Sequence, residues 1–122
     1  MIIKKIILST EDMFYAQSLK NDIIKSVKED SPEIIDTWNY AKANGNIDVI
    51  FHNPDQYVND KNKNVLFKVE RDDNNVVLTN ARWQNNPEPS FEMISLHIGR
   101  LVEMLLSHFS NQFSRLTILD LQ

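Results

Sequence analysis

The chain of 122 residues contains no cysteine. It can therefore form no disulfide, no cysteine-ligated zinc site and no thiolate nucleophile. A small domain without these cross-links must be held together by its hydrophobic core alone, and it suits a reducing compartment. We expect a cytoplasmic protein.

Glycine is almost as scarce, with only Gly45 and Gly99 in the chain. Phosphate-cradling loops need several glycines close together, so two isolated glycines exclude a nucleotide-binding loop of that type. Metal-ligand spacing is also missing, because no HExxH motif occurs and His97 and His108 would lie about 16 Å apart along one helix. We expect no metal and no other cofactor.

Excess positive charge is absent too, since the formal net charge is −4 and the isoelectric point is about 5.3. A net acidic chain repels phosphate backbones, which disfavours nucleic-acid binding. A mildly acidic surface is typical of many soluble proteins and also suits a basic protein partner.

No apolar run is long and uncharged enough for a membrane. The longest, residues 91–113, is interrupted by Glu92, Arg100 and Glu103, which would be costly in a bilayer. The N-terminal apolar segment is short and has no small-residue cleavage site, so we interpret it as a strand of the mature protein.

The segment from Phe91 to Phe113 predicts a long helix on which the other elements pack, with Ser90 as its N-cap. One face of this helix is apolar: Phe91, Ile94, Ile98, Leu101, Val102, Leu105, Leu106, Phe109 and Phe113. A strip beside it, Met93, His97, Met104 and His108, widens the apolar side. We expect this strip to lie under another helix or to form a homodimer contact, with the histidine tips at the boundary to water.

Shorter patterns fill the rest of the chain. Helical spacing of apolar residues from Met13 to Val27 predicts an amphipathic helix that ends at about Lys28, with Ser9 as N-cap and Asp12 in a capping box. Alternating or β-branched runs predict strands over 2–8, 47–52, 65–71, 76–83 and 115–121, with a turn at Asn74-Asn75.

This order predicts a two-layer α+β fold in a single domain, residues 1–122. We expect a mixed or mostly antiparallel sheet of about five strands. The long C-terminal helix packs across one face, with one or two helices from the N-terminal part of the chain.

Residues 32–44 have two interpretations. Ser31, Pro32 and Glu33 form a helix-start signal, and Asn44-Gly45 can end a helix. Asn-Gly is also a strong hairpin signal, and Ile, Thr, Trp and Tyr prefer strands. We place the helix first and keep the hairpin as the alternative.

Acidic residues in polar loops and turns are the candidate site for a partner. Exposed aromatic residues are enriched at interfaces, and Trp83, Phe14 and Tyr15 are the aromatics that core patterning explains least. The predicted partner-binding residues are Asp55, Tyr57, Asp60, Glu70, Asp72, Asp73 and Trp83.

Three hypotheses of function follow. The first is a small non-catalytic cytoplasmic binding protein, most concretely an acidic inhibitor or immunity-type protein that neutralises a basic toxin or nuclease. The second is a homodimeric secretion chaperone or regulatory subunit that uses the long apolar helix. The third is an enzyme centred on His52 and Asp55, for which the sequence offers no nucleophile or oxyanion site.

Overall fold

The computed structural model describes residues 3–29, 37–52, 65–83 and 88–121. In chain order the elements are β1 (Lys4–Ser9), α1 (Met13–Lys28), β2 (Trp38–Ala43), β3 (Ile47–His52), β4 (Leu66–Asp72), β5 (Asn75–Ala81), α2 (Phe91–Phe109), a 3₁₀ turn (Ser110–Gln112) and β6 (Arg115–Asp120). The α+β prediction is confirmed, and the sheet has six strands where about five were expected.

All strand pairs are antiparallel, and the strand order is β2-β3-β4-β5-β1-β6. Four strands, β2 to β5, follow one another across the sheet. Strand β1 then lies between β5 and β6, so it is an interior strand although it comes first in the chain. The sheet ends in two edge strands, β2 and β6.

Both helices pack on the same face of the sheet, which we call the helix face. Side chains alternate between faces along a strand, and the inward set joins buried residues of both helices in one core. From the strands this core contains Ile6, Leu8, Trp38, Ile50, Phe67, Val69, Val76 and Leu78. Val49, Leu66 and Val77 are buried on the opposite face.

Helix α1 ends at Lys28 as predicted, but it begins at Met13, three residues later than a cap at Ser9 implies. Asp12 is the N-cap, and its carboxylate accepts a hydrogen bond from the Tyr15 backbone N–H at 2.9 Å. Ser9 belongs to β1, so the prediction that it caps the helix is wrong. The stripe that α1 buries is Ala16, Leu19, Ile23 and Val27.

Helix α2 begins as predicted, because the Ser90 hydroxyl accepts a hydrogen bond from the Met93 N–H at 3.2 Å. Its buried residues are Ile94, His97, Ile98, Leu101, Met104, Leu105 and Phe109. Phe91 and Leu106, which the periodicity placed on the apolar face, are about half exposed. Among the described residues, no helix is long and apolar enough to cross a membrane.

The hairpin interpretation is correct for residues 38–43, and the helix placed over 32–44 is wrong there. Strand β2 pairs with β3 from Trp38–His52 to Ala43–Ile47. Gly45 and Asn46 in the turn both have positive φ, 81° and 64°. At the next turn Asp73 takes the left-handed conformation, with φ of 57°, in place of the predicted Asn74-Asn75.

Candidate partner-binding surface

Three hydrogen bonds join the β4–β5 turn to Thr10, which lies between β1 and α1. The Thr10 hydroxyl donates to the Asn74 carbonyl at 2.7 Å, and the Thr10 backbone N–H donates to the same oxygen at 3.0 Å. In return the Asn74 side-chain amide donates to the Thr10 carbonyl at 3.0 Å. Thr10 is buried, so this contact fixes two segments that lie far apart in the sequence.

The hydrogen bonds between Thr10 and Asn74 bring five exposed carboxylates to one end of the sheet. We call this group the acidic end: Glu11, Asp12, Glu70, Asp72 and Asp73. Arg71 lies within it, but its guanidinium donates to the Asp73 carbonyl at 2.9 Å and to the Gln17 side chain at 3.2 Å. The acidic end therefore has a net negative charge held on a hydrogen-bonded framework.

Exposed apolar side chains adjoin the acidic end on the first turn of α1. Phe14 is 76% exposed, and Met13 and Tyr15 are more than half exposed. The rings of Phe14 and Tyr15 meet edge to face with centroids 5.9 Å apart. Because the Asp12 cap holds the Tyr15 N–H, these side chains project from a fixed helix start.

A groove of about 460 Å³ lies beside Tyr15. It separates the start of α1 from the segment that joins α2 to β6. The lining residues are Thr10, Glu11, Tyr15, Ser18, Asn111, Gln112, Phe113 and Ser114. Its volume is within the range of ligand pockets. One acidic and several neutral polar groups among its walls suit one or two polar or cationic side chains.

The predicted partner-binding residues do not all meet at this surface. Glu70, Asp72 and Asp73 belong to the acidic end and are exposed, as expected for turn acids. Trp83 packs on Phe51 at 5.8 Å, near the start of β4. The length of that strand, about 20 Å from its first residue to its last, separates Trp83 from Asp72. Asp55, Tyr57 and Asp60 lie outside the described residues.

Glu11 and Asp12 are part of the surface although the sequence indicated only a helix start. Their proximity to Asp72 depends on the Thr10–Asn74 contact, which joins residues 64 positions apart. No local pattern signals such a contact. The exposure of Phe14 and Tyr15 was indicated, because both fall outside the apolar stripe of α1.

His52 is buried at the end of β3, where its ring packs on Trp38 with centroids 5.1 Å apart. Burial, followed by the neighbouring His97 and Arg100, lowers the pKa of His52 to about 4. A cleft of about 110 Å³ adjoins it, lined also by Glu103, Ser107 and His108.

A histidine with this pKa is neutral at pH 7 and is a weak base. Among the described residues no group hydrogen-bonds its Nδ1, and its proposed partner Asp55 lies outside them. No cluster of three or more potential metal ligands occurs in the described part of the chain.

The strip of Met93, His97, Met104 and His108 is largely inside the protein. His97 is fully buried and Met104 nearly so. The His97 Nδ1 donates to the Met93 carbonyl at 2.8 Å, since a carbonyl can only accept. Only His108 is exposed and Met93 partly so, which leaves little of this strip available to a second copy.

A second charged cluster joins α1 to the β2–β3 hairpin. The Asp48 carboxylate pairs with Lys42 at 2.7 Å and Lys20 at 3.4 Å, and it accepts a hydrogen bond from the Tyr40 hydroxyl at 2.5 Å. Lys28 lies 4.5 Å above the Tyr40 ring. Asp48 is therefore paired with two ammonium groups, and the cluster joins α1 to the β2–β3 hairpin with an excess of positive charge.

Comparison of the chain with protein-family models, with curated proteins and with solved structures gave no match.

Proposed function

We propose that the protein is a non-catalytic cytoplasmic binding protein that holds a basic protein partner at the acidic end and the adjoining first turn of α1. Its most concrete form is an inhibitor or immunity-type protein that neutralises a basic toxin or nuclease. The observation that carries the proposal is the exposed Phe14 ring, fixed on a capped helix start and bordered by carboxylates.

An aromatic side chain that stays 76% exposed gains little from folding. Aromatic residues are enriched among the few side chains that supply most of the energy of a protein interface. Phe14 and Tyr15 already contact each other and sit beside a groove, so a partner can cover both rings without rearranging the helix.

The carboxylates of the acidic end, which adjoins the first turn of α1, define the charge of the partner. A surface with this excess of acids attracts basic proteins and raises their association rate, especially at low salt. Because Asp72 and Asp73 are exposed at the rim, they contribute mainly to the rate of encounter. Phe14 contributes mainly to the lifetime of the complex.

The candidate partner is a basic protein encoded by a neighbouring gene, and co-purification of the two proteins tests whether they bind. With that protein, the double variant Asp72→Lys/Asp73→Lys should associate about 10-fold to 100-fold more slowly at low salt. The control Glu29→Lys/Glu92→Lys changes the net charge equally at exposed sites outside the acidic end. Equal association rates for the two double variants would exclude the acidic end as the binding site.

Phe14→Ala should increase the dissociation rate about 30-fold, which corresponds to a loss of about 2 kcal/mol at an interface anchor. The matched control is Leu106→Ala, which truncates an exposed apolar residue of α2. If both variants dissociate like the wild type, the first turn of α1 is not the anchor.

A further inference from the structure

Strand β6 is an edge of the sheet and pairs only with β1 among the described strands. The Leu121 N–H donates to the Ile3 carbonyl at 2.9 Å. Along a strand in an antiparallel ladder, residues whose backbone N–H and C=O groups bond to one neighbouring strand alternate with residues whose backbone groups point to the other side. The outward backbone groups of β6 therefore belong to Leu116, Ile118 and Asp120.

The Lys4 backbone agrees with this alternation. Its N–H donates to the Asn80 side chain on the β5 side at 2.6 Å, so Lys4 points away from β6. Lys4 and Asp120 are opposite each other in the ladder. Asp120 accordingly directs its backbone N–H and carbonyl away from the sheet.

The edge is apolar on both faces. Ile118 is 48% exposed on the helix face, while Leu119 is 41% exposed on the opposite face and Leu121 beyond the strand is 47% exposed. These exposures leave side chains on both faces of the edge about half accessible. A second strand can approach β6 along its length.

Natural sheets protect exposed edges with lysine, proline or a bulge. Strand β6 has no lysine and no proline, and its charged residues are at its two ends, Arg115 and Asp120. The other edge, β2, carries Lys42, which pairs with Asp48. Lys28 of α1 also covers the Tyr40 ring there. The two edges of the sheet therefore differ, and among the described strands β6 is the edge strand without a lysine.

We propose that β6 pairs antiparallel with β6 of a second copy of this chain, about a two-fold axis at Ile118. A two-fold axis perpendicular to the sheet keeps the helix faces of both copies on one side, and paired residues then share a face. When this axis passes beside Ile118, whose backbone groups point outward, the paired residues are Ile118–Ile118, Thr117–Leu119, Leu116–Asp120 and Arg115–Leu121. Two six-stranded sheets become one continuous sheet.

Charge favours a second copy in this orientation. No like charges are opposite each other, since Arg115 faces Leu121 and Asp120 faces Leu116. The acidic end lies beside Arg115, because Arg115 pairs with Ser9 immediately before Thr10. Antiparallel pairing therefore directs the two acidic ends in opposite directions, which limits the repulsion between two copies of net charge −4.

The contact is small, because one strand edge covers less than the ~800 Å² per partner of a standard interface. We expect weak association, with half of the chains paired near 100 µM, an order-of-magnitude estimate. The acidic end and Phe14 lie beyond the Arg115 end of the seam and supply none of its paired residues. Loss of self-pairing therefore leaves the binding of a basic partner unchanged, and the two proposals can fail separately.

The first test is sedimentation of the full chain over a range of concentrations to about 1 mM. The average mass should rise from 14.3 kDa toward twice that value. Ile118→Lys places two ammonium groups opposite each other at the axis and should weaken pairing at least 10-fold. The control Leu106→Lys alters an equally exposed residue, 49% exposed on α2, and should pair like the wild type. A wild type that stays monomeric, or an Ile118→Lys variant that still pairs, overturns the proposal.

The second test uses the absence of native cysteine. The two residues at the axis should have Cα atoms about 5.5 Å apart, within the range that a disulfide spans. Ile118→Cys should therefore form a disulfide dimer at least 10-fold faster than Leu106→Cys under the same mild oxidation. Equal rates overturn the pairing, and faster cross-linking of Thr117→Cys or Leu119→Cys overturns the axis at Ile118.

Discussion

The imidazole rings of His52 and His97 meet edge to face inside the protein, with centroids 6.1 Å apart. His52 comes from β3 and His97 from α2, so the contact joins the sheet to its longest helix. Burial lowers the pKa of His97 as it does that of His52, although hydrogen bonds to the backbones of Met93 and His52 raise it. Both rings are therefore neutral in the folded protein at pH 7.

We predict that acid destabilises the fold through this pair. A histidine whose pKa is lowered by folding contributes stability above its unfolded pKa of about 6.5, and this contribution is lost as the pH falls through the folded value. For His52, with a folded pKa of about 4, the loss is about 3 kcal/mol between pH 6.5 and pH 4. His97 adds to the loss with the same sign.

Urea unfolding at several pH values measures this dependence. His52→Phe keeps a ring against Trp38 and removes the titration, so the slope of unfolding free energy against pH should decrease below pH 6.5. Asn39→Ala, at an exposed position of β2 without a titrating group, should leave the slope unchanged. A slope unaffected by His52→Phe would contradict the prediction.

The two glycines should respond in opposite directions to alanine. Gly45 has φ of 81°, and a Cβ there would meet nothing closer than 3.9 Å, so the cost of Gly45→Ala is conformational, about 1 kcal/mol. Gly99 is exposed in the middle of α2 with open space around it, so Gly99→Ala should stabilise by about 0.5–1 kcal/mol. Thermal unfolding of both variants tests this prediction, and unfolding midpoints that shift in the same direction would contradict it.

Asp48→Asn should loosen α1 from the β2–β3 hairpin. Although burial raises its pKa, bonds from Lys42 and Tyr40 and the charge of Lys20 hold the pKa of Asp48 below the ordinary value. Loss of these charge-assisted bonds should lower the free energy of unfolding by about 2 kcal/mol. Glu103→Gln, which breaks an exposed pair with Arg100, should have little effect.

Tyrosine titration provides a second measurement on the same variant. Burial and the hydrogen bond to Asp48 raise the pKa of Tyr40 above 10. In Asp48→Asn the pKa of Tyr40 should fall, because the neighbouring negative charge is gone, while burial continues to raise it. Ultraviolet absorbance at high pH follows this change, and an unaltered Tyr40 titration would contradict the assigned hydrogen bond.

The contact between Thr10 and Asn74 should hold the acidic end in place. Thr10→Val removes the hydroxyl bond and Asn74→Ala removes the amide bond, each at a cost of about 1 kcal/mol. Hydrogen exchange of the Thr10 amide should become faster in Asn74→Ala. Asn39→Ala, at an exposed position of β2, is the control and should change neither measurement.

Local periodicity was enough to predict most elements of this fold. The Ser90 cap and the helical spacing predicted α2, and alternation predicted the strands on either side of the Asp73 turn. Within residues 38–43 the helix signals misled, because strand propensity and pairing with β3 outweighed them. The Trp38 ring also packs on Phe67, a contact with a strand that local sequence cannot reveal.

Burial that depends on distant partners could not be predicted. His97 was expected at a boundary with water, but α2 crosses β3 where it meets His52. The acids of the β4–β5 turn were correctly expected to be exposed. Their grouping with Glu11 and Asp12 depends on the strand order, which places β1 beside β5. Neither helical nor strand periodicity specifies that order.

The interior position of β1 between β5 and β6 has a consequence for folding during synthesis on the ribosome. Strand β1 cannot form its native pairs until β5, residues 75–81, has emerged, and β6 covers its other side only later. At roughly 5–20 residues per second, the nascent chain carries Ile6 and Leu8 unpaired for several seconds. Chaperones that bind apolar extended segments can bind β1 during this interval.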